Sequence, residues 1–139
     1  MTRTLRIPFL AAAVLLFGGC GDATGPTLAS VAGEYRATTF TVTEQGTTLD
    51  VLAAGGTLRI DLDAGGTSTG RLFLPGLDED GSDFDASMNG TWALRGDTVR
   101  FDQGADTFVG DAPFVVRGER LEAEFGSGAR VRVVLTRQR

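Results

Sequence analysis

The stretch Gly90–Asp102 (GTWALRGDTVRFD) carries the pattern that decides the fold. Apolar side chains occupy every second position on both sides of the Gly-Asp pair at 96–97, and this pair is typical of a two-residue β-turn. With that turn, Trp92 pairs with Phe101 on one face of the sheet. Leu94 then pairs with Val99 on the same face. The stretch therefore predicts an antiparallel hairpin with one buried face and one exposed face.

The same two-residue period continues along the chain from Val31 onward, without the 3.6-residue period of amphipathic helices. Leu58, Ile60 and Leu62, for example, alternate with polar residues. Short strands separated by glycine-rich turns are typical of a meandering barrel or sandwich. Closure would remove the exposed strand edges. We therefore predict an all-β fold, a small up-and-down antiparallel β-barrel of about eight to ten strands, over residues 31–139.

The last hairpin carries charged residues on its outer face. A turn centred on Ser127 would pair Glu124 with Arg130 and Glu122 with Arg132. Two neighbouring glutamates also suggest the carboxylate pair of a glycosidase. Because both lie on the outer face opposite arginines, we interpret them as markers of strand register.

The chain begins with a segment typical of export. Arg3 and Arg6 precede the apolar run Ile7–Phe17, and Gly18-Gly19 precedes Cys20, the sole cysteine. The run is shorter than the about 20 residues of a spanning helix. We predict a lipoprotein signal peptide over 1–19, a lipidated Cys20 at the start of the mature chain, and a tether over 20–30. The alternative is an ordinary secretory signal without lipidation.

Charge and composition limit the possible functions. The 139 residues fit one domain with a formal net charge of −5. Removal of the two leader arginines makes the mature domain more acidic, which disfavours nucleic acid as a partner. We expect a monomer that meets the membrane only through the Cys20 lipid. Since the chain has no histidine, histidine-dependent triads and zinc sites are not expected, and we predict neither an enzyme nor a cofactor.

An acidic segment over residues 75–85 is the one dense cluster of charge. Asp78, Asp80, Asp83 and Asp85 surround Gly81, and carboxylates on a flexible loop are typical calcium ligands. The spacing differs from the twelve-residue calcium loop, and the closing glutamate is missing. We therefore predict a solvated loop without metal.

Two short motifs, Gly33-Glu34-Tyr35 and Gly90-Thr91-Trp92, together with the glycine-rich hairpins and the leader, resemble the small bacterial lipocalin-like lipoproteins of the calycin group. The resemblance covers roughly residues 31–136. Lipocalins proper carry Gly-x-Trp at the start of the first strand, where this chain has Tyr35. The resemblance implies an up-and-down barrel with one mouth and, in some members, an apolar ligand inside.

A set of apolar side chains is expected to point into the barrel, either lining a ligand cavity or filling the core. These residues are Tyr35, Phe40, Leu58, Ile60, Trp92, Phe101, Phe114 and Phe125. The predicted function is that of a cell-envelope lipoprotein, on the periplasmic face or the cell surface, that binds a small apolar ligand. The alternative is a structural or protein-interaction barrel, possibly inhibitor-like, with a filled core. An apolar cavity of a few hundred Å³ would favour the first.

Overall fold

The computed structural model describes residues 24–78 and 80–139; the predicted leader and Cys20 lie outside them. The described chain forms ten strands and two single-turn helices. In chain order these are α1 (Leu28–Val31), β1 (Gly33–Glu44), β2 (Thr47–Asp50), β3 (Thr57–Leu62), β4 (Thr67–Leu74), β5 (Phe84–Ser87), β6 (Gly90–Arg95), β7 (Thr98–Gln103), α2 (Phe108–Asp111), β8 (Phe114–Arg117), β9 (Arg120–Phe125) and β10 (Arg130–Arg137).

Eight of these strands close into an antiparallel barrel in the order β1-β3-β4-β6-β7-β8-β9-β10, with β10 pairing β1. Strand β2 extends the sheet beside β1, and β5 pairs with β4. The predicted small up-and-down antiparallel barrel is therefore confirmed. Within the described residues, no helix is long and apolar enough to cross a membrane.

The hairpin of β6 and β7 has the predicted register, with Trp92 opposite Phe101 and Leu94 opposite Val99. The predicted register of the last hairpin is wrong by two residues, because Arg132, not Arg130, lies opposite Glu124. With Phe125 opposite Val131, residues 126–129 form the loop between β9 and β10. A shift of two residues keeps every side chain on its predicted face.

A β-bulge in β1 places both predicted core residues of that strand inside the barrel. Tyr35 and Phe40 are five positions apart, so a regular strand would direct them to opposite faces. The register against β10 shifts between Ala37 and Thr39, so Thr38 is the extra residue. Both aromatic side chains are consequently buried.

The two short helices cover opposite ends of the barrel. Helix α1 precedes the start of β1, where β3 ends, and it buries Val31. Helix α2 lies between β7 and β8 and buries Val109 in the same hydrophobic core. Helix α1 falls partly within the predicted tether, where Thr27 and Ser30 form its capping box.

Candidate functional site

The eight predicted inward-facing residues share one hydrophobic core. Seven are at most 5% exposed, and the eighth, Phe125, is half-buried and packs against the same cluster. Phe101 and Phe114 meet edge to face with ring centroids 5.5 Å apart. These contacts correspond to the filled-core alternative of the sequence analysis.

An aromatic cluster closes the end of the barrel beneath α2. Phe108 lies 5.3 Å from Phe40 and stacks at 5.6 Å on Phe125, measured between ring centroids. Sequence reasoning missed Phe108 as a core residue because it lies in the least regular segment. The apolar pair Phe108-Val109 in this otherwise irregular segment was the available signal.

At the other end of the barrel, which α1 covers, Tyr35 connects α1 to β10. Its hydroxyl donates to the Val31 carbonyl at 2.7 Å and accepts from Arg137 Nη2 at 3.0 Å. The Arg137 guanidinium also lies over the Tyr35 ring, 5.5 Å from its centroid. Sequence reasoning missed this role of Arg137, which requires the closure of β10 onto β1.

Trp92 is a buried packing residue with a satisfied polar group. Its Nε1 donates to the Asp63 carbonyl at 2.8 Å, and its backbone N–H donates to the Gly66 carbonyl at 2.8 Å. The single tryptophan therefore ties β6 to the turn between β3 and β4.

The barrel wall opens between β1 and β3. These strands pair only from Gly33–Leu62 to Arg36–Arg59, and β1 next pairs with β2, from Thr41 onward. The bulge at Thr38 falls at this change of partner, and a bulge bends its strand. The resulting wall cleft has a volume of about 330 Å³.

The wall cleft has an apolar floor and a cationic rim. Ala37, Leu52 and Leu58 line the floor, and all three belong to or pack against the core. Three arginines line the rim, and their side chains are 56–65% exposed. They are Arg36, Arg59 and Arg71.

The rim arginines stand in one cross-strand row, since Arg36 lies opposite Arg59 and Arg59 lies opposite Arg71. Glu34 Oε1 lies 3.2 Å from Arg36 Nη2 and 3.0 Å from Arg59 Nε. Arg71 pairs with Asp85 through two contacts, one of them Nε to Oδ1 at 2.7 Å. The hydrogen bond from Arg71 lowers the pKa of Asp85 below its usual value.

Four further clefts of about 250–440 Å³ lie at the barrel surface. Exposed polar or charged side chains line each of them. The wall cleft differs from them in its mainly apolar lining.

The acidic loop directs several carboxylates to donors of the chain itself. Asp80 Oδ1 accepts from the Ser82 backbone at 2.9 Å, and Asp83 Oδ1 accepts from the Gly76 backbone at 3.0 Å. Hydrogen bonds from Ser82 lower the pKa of Asp80. Among residues 24–78 and 80–139, no group of three or more histidine, cysteine, aspartate or glutamate side chains is placed to hold a metal ion.

The two glutamates of β9 form ion pairs on the outer surface. Glu122 lies 3.5 Å from Arg120, and Glu124 lies 3.4 Å from Arg130. Arg120 belongs to the same strand as Glu122, so this ion pair does not mark the register, and the predicted Glu122–Arg132 pair is wrong because Val134 lies opposite Glu122. Glu124 and Arg130 are in contact as a diagonal pair between β9 and β10, although Arg132 is the residue directly opposite Glu124.

Comparison of the chain with protein-family models, with curated proteins and with solved structures found no match.

Proposed function

We propose that the protein is a non-enzymatic cell-envelope lipoprotein, anchored through Cys20, whose barrel is a solid scaffold that binds partners or ligands on its outer wall. The filled interior is the observation that carries this proposal. It favours the filled-core alternative over an apolar ligand held at the centre of the barrel.

Side-chain packing in the middle and at both ends of the barrel supports the proposal of a solid scaffold. Eight strands enclose a space that side chains can fill completely. Here aromatic and aliphatic side chains from every barrel strand occupy it, with Ile60, Phe114 and Leu121 fully buried. The buried Val31 and Val109 come from the two helices that cover the ends.

The leader pattern supports the anchor. An acidic domain gains no electrostatic attraction to anionic lipid, so stable membrane association requires acyl chains. A lone cysteine directly after Gly18-Gly19 supplies a place for them. The lipocalin-like motifs are consistent with a role in the envelope.

Probe uptake tests the filled interior. The mature chain carrying Cys20→Ser is titrated with the apolar fluorophore N-phenyl-1-naphthylamine, and we expect no saturable rise in fluorescence. Phe101→Ala in the same background is the matched control, because the cavity it creates should admit the probe. Saturable uptake by the parent that is lost on enlarging an inner side chain, as in Ala123→Phe, would contradict the proposal.

Fractionation tests the anchor. Cys20→Ser is expected to move the protein from the membrane fraction to unprocessed precursor or soluble material, and to abolish labelling by radioactive palmitate. Thr24→Ser, outside the cleavage motif, is the matched control and should behave like the parent. Unchanged fractionation and migration of Cys20→Ser would show that the lipid anchor is wrong.

A further inference from the structure

We infer that the wall cleft is a binding site for a small amphipathic anion, a carboxylate head on a short apolar body. The rim arginines Arg36, Arg59 and Arg71 would hold the head, and the floor would hold the body. This inference rests on the proposed function in one respect, namely that the ligand is met on the outer wall and not inside the barrel.

The arrangement of charge on the rim points to an anion. Like charges placed directly opposite each other across neighbouring strands destabilise a sheet. The row of three arginines carries two such contacts, Arg36 with Arg59 and Arg59 with Arg71. Two carboxylates, Glu34 and Asp85, contact these three guanidinium groups, so the five side chains in contact carry a net positive charge. Asp61, opposite Glu34, lines a separate cleft.

The donors on the rim exceed the acceptors that contact them. Each guanidinium has five N–H groups, whereas a carboxylate offers about four lone-pair sites. Arg36 and Arg59 both contact the same oxygen, Glu34 Oε1. A second carboxylate bridging these groups would add charge-assisted hydrogen bonds, for which the planar guanidinium is well suited.

The floor points to an apolar body attached to the anion. The half-buried Ala37 and Leu52 bring carbon surface to the base of the cleft beside the charged rim, and the buried Leu58 lies beneath it. An inorganic anion would leave this surface in water, whereas a short hydrocarbon chain would cover it. The volume of about 330 Å³ lies at the small end of ligand sites, which favours a short chain over a long acyl chain.

The position of the cleft favours a small molecule over a macromolecule. It is a local opening where one strand leaves its neighbour. The surrounding protein is acidic, so a polyanion or an anionic bilayer would be repelled outside the rim.

Calorimetric titration of the mature Cys20→Ser chain with octanoate tests the inference. We expect saturable binding that is at least about tenfold tighter than binding of octanol, which lacks the head, or of acetate, which lacks the body. Arg59→Gln should weaken octanoate binding by about tenfold or more, since bonds to a charged group are lost. Arg95→Gln, which changes an exposed arginine on β6, is the matched control and should bind like the parent.

Separate outcomes distinguish failure of this inference from failure of the proposed function. If octanoate does not bind and the naphthylamine probe is also excluded, the cleft assignment is wrong and the solid scaffold stands. If octanoate binds equally to Arg59→Gln but is lost in Ala123→Phe, the ligand lies inside the barrel and both are wrong. Binding to phosphatidylglycerol vesicles that Arg59→Gln abolishes would overturn the small-molecule assignment in favour of a lipid surface.

Discussion

Two walls of the barrel differ in the length over which their strands pair. One is formed by β6 and β7, and the other by β1 and β3. Strands β6 and β7 pair along their whole length, from Gly90–Gln103 to Arg95–Thr98. Strands β1 and β3 pair over one end only and then separate around the wall cleft. A two-residue turn joins the first pair, whereas residues 45–56, which include β2, intervene in the second. Local turn geometry therefore keeps one wall closed, while competing partners open the other.

Of the changes proposed for the two walls, deletion of Thr38 should lower the free energy of unfolding the most. Without the extra residue, Phe40 and Val42 would turn to the outer face if the start of β1 kept its register. The loss in the free energy of unfolding should exceed the about 3–5 kcal/mol of a single large-to-small aromatic substitution. Urea denaturation measures it.

Thr38→Ala is the matched control for the deletion. It keeps the bulge and removes the γ-methyl group and the hydroxyl that lies 2.8 Å from Thr136 Oγ1, so a cost of about 1 kcal/mol is expected. A deletion variant as stable as Thr38→Ala would show that Phe40 can be buried without the bulge.

Trp92→Ala should destabilise the closed wall by about 3–5 kcal/mol, because a large buried ring opposite Phe101 is lost. Trp92→Phe retains an aromatic ring but leaves the Asp63 carbonyl without its indole donor, and should cost less. Denaturant titration by circular dichroism compares the variants. In the parent, red-shifted and freely quenched tryptophan emission would contradict the buried position.

Gly90→Ala should destabilise the same wall by about 1–3 kcal/mol. An added Cβ would overlap the Asp102 carbonyl oxygen and lie 2.9 Å from Gln103 Cα, so β6 and β7 would have to move apart. Gly104→Ala is the control, because its Cβ meets no atom within 4 Å. Equal thermal stability of the two variants would argue against close approach of the strands at Gly90.

Arg71→Gln on the rim of the open wall should have the smallest effect on the stability of the protein. Because Arg71 lowers the pKa of Asp85, their interaction contributes to stability above the unfolded pKa of Asp85 and is lost as the pH falls through its folded pKa. Arg71→Gln should return the pKa of Asp85 towards its usual value, measured by carboxyl carbon NMR. A pKa that stays low in Arg71→Gln but rises in Arg95→Gln would contradict this pairing.

The alternation of apolar residues and the local turns determined the fold class and most of the core. Period-two alternation assigns each residue to a face, and the Gly-Asp turn at 96–97 has a length that sets the register of its own hairpin. These two signals were enough to predict the β6–β7 pairs and the buried Leu58 and Ile60 of β3, whereas burial of both Tyr35 and Phe40 also required the bulge in β1. The leader prediction at Cys20 also depends on sequence alone and lies outside the described residues.

Only the tertiary structure decided which residues meet where the barrel closes, the bulge at Thr38 and the alignment of the rim arginines. Alternation cannot distinguish registers that differ by two residues, which is why the last hairpin was misplaced while its faces were correct. Closure brings Tyr35 opposite Arg137, and the arginine row requires the registers of three strands at once. Such contacts depend on which arrangement of the whole chain buries the most apolar surface with its backbone paired, and no local pattern encodes that choice.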